Sequence, residues 1–248
     1  MNEEAHAAIL LALGALALRL GLTDAHLAYI RPAMGPVLAL AGAVLVTLGG
    51  VVLLGPGRAT AQAGHAVHVH DGHDGDDHAG ASRVAWLLVA PILAIAVVVP
   101  RPLGAFAANR AAATLPAPTR ADFGPLPAPS VPGAPVDLSL KEFVGRAIYD
   151  HGRSLRGTPV RLVGFATPDA RGGGFLLTRF IVTCCAADAR PLRVAIRGLG
   201  EPWPAPDTWL EITGLWRPET RTAEDQRPPV LDAGRVRAIP APANPYLR

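Results

Sequence analysis

The sequence predicts two parts of different character: a membrane α-helical N-terminal region of three spans, and a C-terminal α+β to all-β domain built as a small five-stranded barrel with one preceding helix. Three observations carry this expectation. The 248 residues are 50% apolar but only 17% charged, below the roughly 25% usual for soluble domains. Before residue 104 the apolar residues gather in long uncharged runs. From Asp137 onward the chain breaks into short runs of β-formers separated by Gly, Pro and Asp, the pattern of a small β domain.

Residues 1–56 hold two expected spans. Met34 to Leu54 carries no charge over 21 residues, enough at about 1.5 Å per residue to cross about 30 Å of hydrocarbon. Ala5 to Leu22 is nearly as apolar and keeps His6 and Arg19 near its ends, where polar groups reach the interface. The start Asn2-Glu3-Glu4 lacks the positive region of a secretory signal. Residues 84–103 form the expected third span, short because Arg83 and Arg101 bracket its apolar run and kinked because that run contains Pro91. Between the second and third spans, residues 57–83 are a low-complexity His/Asp loop. Residues 104–136 are a Pro/Ala-rich linker, where seven prolines between Pro116 and Pro135 favour an extended tether.

Residues 137–240 have the composition of one soluble domain, large enough for a single core. Ser139 and Glu142 have capping-box spacing, and Leu140, Phe143, Val144, Ala147 and Ile148 line one helical face, predicting a helix over 139–151. Five strands follow, over 159–166, 174–184, 191–197, 208–216 and 230–239. An OB-like barrel is the simplest architecture for them, since closure removes exposed edges. Residues 241–248 read as a C-terminal tail.

The chemistry-bearing residues fall in two groups. Cys184 and Cys185 are adjacent, and their Cα atoms at about 3.8 Å are too close for an unstrained disulfide. Asp188 stands three residues further on and adds an oxygen donor. Two thiolates and a carboxylate make an incomplete soft-metal site, which His151 or a loop histidine would complete. If the strand runs through the pair, Cys184 shares a face with Phe180 and Val182 and is the packed thiol, while Cys185 is the ligand or reactive one. If the strand ends there, a bend converges both thiols on one ligand. The second group is the loop, where His65, His68, His70, His73 and His78 lie among four aspartates. Neutral imidazoles beside carboxylates suit zinc or another divalent transition metal.

Several function classes are excluded or weakened. The net charge is +3, but the basic residues are scattered, without the stripe a nucleic-acid module needs. No nucleophile elbow, phosphate-cradling loop or H-E-x-x-H motif is present, and the expectation is a protein without catalytic residues. Trp203, Trp209 and Trp216 read as core or rim packing rather than a base-stacking platform.

Two N-terminal spans, a His/Asp loop, the segments RPLGAFAANR, VRLVGFA, TRFIVTCCAADARPLRV and WLEITGLW, and a terminal NPYLR together resemble the DUF1980 family of membrane-anchored permease subunits. RFIVTCCAADA, from Arg179 to Ala189, is the most specific segment. The resemblance covers nearly the whole chain. It implies a multi-pass cell-membrane protein with an extracytoplasmic C-terminal domain, acting as accessory subunit to a separate multi-span permease, and it assigns no binding residue. In that orientation Arg58 and Arg83 lie inside against Arg19, Arg31, Arg101 and Arg110 outside, a balance that by itself favours the opposite side.

The leading functional expectation is such a permease subunit engaged in transition-metal handling. Its competitors are a membrane-tethered barrel that binds a ligand or partner without a transport role, and a thiol oxidoreductase. The last lacks the C-x-x-C spacing that lets one thiol resolve the other's mixed disulfide.

Overall fold

The computed structural model describes residues 3–54, 102–111, 124–129, 131, 133–170, 174–218 and 227–247. The expected His/Asp loop and the expected third span up to Arg101 lie outside these residues. The described chain divides into two compact units, one within residues 1–26 and 32–100, the other formed by Leu27–Arg31 together with residues 101–248.

The first unit is an antiparallel helical hairpin of α1 (Glu3–Leu22) and α2 (Gly35–Leu54). The buried positions of α2 are Gly35, Gly42 and Gly49, a period of seven that returns to one helix face. A Cβ at Gly42 would lie 2.7 Å from the Leu18 backbone nitrogen, and one at Gly21 would lie 2.6 Å from that of Ala39. Small residues let the two backbones approach, the usual way apolar helices pack where solvent supplies no hydrophobic drive. The opposite face of α2 exposes Val37, Leu40, Val44, Leu48 and Val51. The helical segment Pro32–Leu54 is long and apolar enough to cross a membrane, and among the described residues it alone is. The apolar part of α1, His6–Leu22, is shorter. Of the three expected spans, one therefore stands on length and composition.

The second unit is a closed barrel. Its strands are β2 (Val160–Pro168), β3 (Phe175–Ile181), β4 (Arg190–Arg197), β5 (Trp209–Arg217) and β6 (Val230–Ala238). They run in the order β2-β3-β4-β6-β5, and β5 pairs back onto β2 to close the ring. All pairs are antiparallel except β4–β6. A two-residue strand, β1 (Val136–Asp137), adds in parallel to β2; it is too short to show alternation in the sequence.

Helix α4 (Leu140–Tyr149) precedes the barrel strands as expected, with the Ser139 hydroxyl accepting the Glu142 N–H at 3.1 Å. Glu142 reaches forward to Arg146 rather than back to the cap. Leu140, Phe143, Val144 and Ala147 enter one core with Leu162, Leu177, Val194, Ile196, Leu210, Ile212 and Leu231.

Two segments expected to lie outside the domain are part of it. The expected linker contains helix α3 (Ala105–Arg110), whose Ala105 and Ala108 are buried against Phe165, Phe180, Val182 and Tyr246. The sequence weighted its prolines and missed that the two alanines and Leu103 form an apolar face. The expected tail is equally integrated: Leu247 donates to the Phe180 carbonyl at 2.7 Å, and Tyr246 and Leu247 are buried. Its NPYLR sequence is too short to carry periodicity. Arg179 donates to the Asn244 and Pro245 carbonyls, and Arg193 to those of Ala108 and Ala111. The three tryptophans pack as expected: Trp203 against Phe175, Trp209 against Phe165, and Trp216 at the core edge.

Tyr246 joins three parts of this unit. Its ring fills the second cluster, its hydroxyl donates to the Ala28 carbonyl at 2.8 Å, and the same oxygen accepts the Leu103 N–H at 3.1 Å. Tyr246→Ala should lower stability by about 3 kcal/mol through the cavity it leaves. Tyr246→Phe, which removes only the hydrogen bonds, should cost about 1–2 kcal/mol. Thermal unfolding of the detergent-solubilised full chain measures both; equal losses for the two variants would contradict the packing role.

Candidate functional site

Strand β3 ends at Ile181, not at Cys184 as the sequence suggested, and the chain turns through Val182–Ala189 into β4. The physical reason is Asp188. Its Oδ1 accepts the Thr183 N–H at 2.7 Å, and its Oδ2 accepts the N–H groups of Cys184 at 2.7 Å and Cys185 at 3.4 Å. A carboxylate that takes three consecutive backbone donors removes them from any ladder and bends the chain around itself. A short 3-10 turn, Ala186–Asp188, follows.

The carbonyl side of the turn is satisfied by the segment Leu27–Arg31. Ile30 forms an antiparallel bridge with Cys185. The Arg31 N–H donates to the Cys184 carbonyl at 3.2 Å, the Ala186 N–H donates to the Tyr29 carbonyl at 2.6 Å, and the Arg31 guanidinium donates to the Thr183 carbonyl at 3.1 Å. The remaining groups close locally, Asp188 N–H onto Cys185 and Ala189 N–H onto Ala186. Every backbone donor and acceptor from Thr183 to Ala186 thus has a partner, so the turn is a built structure and not a slack loop.

This geometry overturns the asymmetry inferred from strand alternation. Cys184 is exposed and Cys185 is half-buried, so Cys184 is not the packed thiol. Side chains alternate only while the strand continues, and here it has stopped. The bend instead brings the thiols to one side, with Sγ–Sγ 3.6 Å. Both sulfurs and a carboxylate oxygen of Asp188 lie within 4.8 Å of one another. Among the described residues this is the one cluster of three or more metal-ligating side chains, and His151 is not in it. His151 sits in the turn after α4 with φ 50°. His65, His68, His70, His73 and His78 lie outside the described residues.

The electrostatics follow from the same contacts. The Cys184 thiol donates to Asp188, and this bond, aided by the neighbouring Cys185, pushes its pKa up to about 11. The same hydrogen bond, with the backbone donors, holds Asp188 down at about 2. At neutral pH the site is a protonated thiol resting on an ionised carboxylate. Sequence reasoning found all three side chains. It missed Tyr29 and Arg31, whose role depends on a contact across more than 150 positions that no local pattern encodes.

Residues 141–247 match the family model described as the DUF1980 C-terminal domain. The C-terminal domain belongs to that family, and the match runs from the first turn of α4 through Cys184, Cys185, Asp188 and Tyr246 to Leu247. Comparison with curated proteins and with solved structures gives no match.

Asp188→Ala should release the turn. The Cys184 pKa should fall toward the ordinary thiol value, and alkylation of Cys184 at pH 8 should accelerate by roughly tenfold or more. In the parent protein, a carboxylate depressed on folding contributes stability above its usual pKa that is lost as pH falls from about 4 toward 2. Alkylation rates followed against pH test the first and unfolding measured between about pH 5 and 2 the second; an unchanged Cys184 profile in the variant would show that Asp188 does not control it.

Proposed function

We propose that this chain is a membrane-anchored accessory subunit of a multi-span permease, with an OB-like barrel as its C-terminal domain and a transition metal as the species it handles. One observation carries the reading. The Tyr246 hydroxyl links Ala28, in the turn between α1 and α2, to Leu103, at the end of the expected third span. Helix α2 rises about 30 Å over its 20 residues and ends at Leu54, far along the chain from Ala28. In this reading residues 84–103 are the third crossing that the sequence predicts, ending beside Ala28 at Leu103. A third crossing would put the C-terminal domain and residues 57–83 on opposite sides of the membrane. The family resemblance favours the extracytoplasmic side, with the bilayer around the exposed face of α2 and the histidine-rich loop on the other side as a second, adaptable metal chelator.

Two observations weigh against the alternatives. The outward face over β2 and β3, the natural surface for a bound ligand, is covered by α3 and the chain end. The Cys184 thiol, pushed up to about 11 by Asp188 and Cys185, is a poor nucleophile at neutral pH, and the adjacent pair lacks the C-x-x-C spacing of a resolving couple.

Single cysteines at Gly75 and Ala128, in a background with Cys184 and Cys185 replaced, should react with an impermeant reagent from opposite faces of the membrane. Labelling of both from one side would remove the third crossing. A photo-crosslinker at Val44, on the exposed face of α2, should capture a multi-span permease in native membranes. Crosslinks confined to lipid would contradict the subunit reading.

A further inference from the structure

A metal reading of the cysteine turn makes a geometric demand that the structure meets. Two thiolates on a tetrahedral ion with metal–sulfur bonds of about 2.3 Å stand about 3.8 Å apart. The observed Sγ–Sγ separation is 3.6 Å, whereas a linear two-thiolate ion such as copper(I) needs the full sum of two metal–sulfur bonds. The third donor is in place: Asp188 Oδ2 accepts two N–H groups and Oδ1 one, and a cation would take the carboxylate acceptor position now used by the Cys184 thiol proton without undoing the turn. Cys184 is exposed, so a fourth position opens to solvent. Closed four-ligand sites serve structure, and sites with an open position exchange what they bind.

We propose that Cys184, Cys185 and Asp188 form an open three-ligand site for a zinc-class divalent ion, held in shape by Arg31 and able to pass the ion to an incoming fourth ligand. This rests on the metal-handling reading and names its ion class and coordination. Arg31 is a positioning residue. Its backbone N–H and guanidinium hold the carbonyls of Cys184 and Thr183, while Asp188 holds the facing N–H groups. Each cysteine peptide is thus pinned from both sides, and the two thiols cannot swing apart when the chain moves. Binding releases the thiol protons to water; an incoming thiolate or imidazole then meets the exposed edge at Cys184 and binds the vacant position, and the ion leaves as its bonds to Cys184, Cys185 and Asp188 break and the thiolates take protons back from water.

The test uses the full chain in detergent micelles, with His65, His68, His70, His73 and His78 replaced by Asn so that the loop is silent. Titration with cobalt(II) should give a thiolate-to-cobalt charge-transfer band and a tetrahedral visible spectrum at a single equivalent, both displaced by zinc. Cys184→Ser and Cys185→Ser should each weaken or remove the charge-transfer band. Arg31→Ala should keep the band but lower the affinity by about tenfold, the scale set by groups that orient metal ligands, and Arg31→Lys should recover most of it. Zinc should also protect both thiols of the parent chain from maleimide. Absence of the thiolate band, an identical band in both serine variants, or unprotected thiols in a chain with unchanged circular dichroism would overturn the site. The Val44 crosslink reports separately on the permease reading, so the two fail independently.

Discussion

Strand β2 has to serve two neighbours, and it changes from one to the other at Phe165. Up to that residue it pairs with β5, and from it onward with β3, so that Phe165 faces both Trp209 and Thr178. The change requires β3 and β5 to come close where β2 passes from one to the other. A Cβ on Gly164 would lie 2.8 Å from the Thr178 carbonyl oxygen, and glycine removes that obstacle. Closure of the barrel follows from this crossing. So does the position of β3, whose far end is released into the cysteine turn.

The peripheral segments are fastened by a second device, and it explains the basic composition. Lys141 is the one lysine among 23 basic residues. The arginines are not gathered for a polyanion. Arg146 donates to the Gly124 carbonyl, Arg179 to Asn244 and Pro245, Arg193 to Ala108 and Ala111, and Arg31 to Thr183. In each case a planar guanidinium, with several donors in fixed geometry, joins a peripheral segment to the barrel or its helix through backbone carbonyls. Arg179 lies in addition 5.6 Å from the centroid of Trp209, so the same group seals an aromatic face and ties down the chain end. A lysine ammonium, a point charge on a flexible stem, lacks the planar fork that fixes this geometry.

The cysteine turn joins these two devices to the proposed function. Asp188 collects three of its donors from within the turn, and from the other end of the sequence the Tyr29 carbonyl takes the Ala186 N–H while Arg31 holds the Thr183 and Cys184 carbonyls. The thiols therefore owe their convergence partly to a segment that links the two helices of the hairpin. Tyr246 strengthens the same connection through Ala28 and Leu103.

Local pattern by itself determined a good deal here. The charge-free run at Met34–Leu54, the amphipathic face of α4 with its Ser139 cap, and five β-rich runs follow from side-chain periodicity and turn chemistry, which act over a few residues and survive in any context. The candidate ligands Cys184, Cys185 and Asp188 were legible for the same reason, since they are neighbours along the chain. Only the tertiary structure decided that β3 stops at Ile181, that both thiols turn to one side, that Ala105–Arg110 and Tyr246-Leu247 belong to the domain, and that Arg31 holds the turn. Alternation predicts which way a side chain points only while hydrogen bonds to a neighbouring strand persist. Where Asp188 offers the backbone a better partner than a strand does, the alternation ends. The partners Tyr29 and Ala28 approach from the opposite end of the chain, at a distance in sequence across which no periodicity carries information.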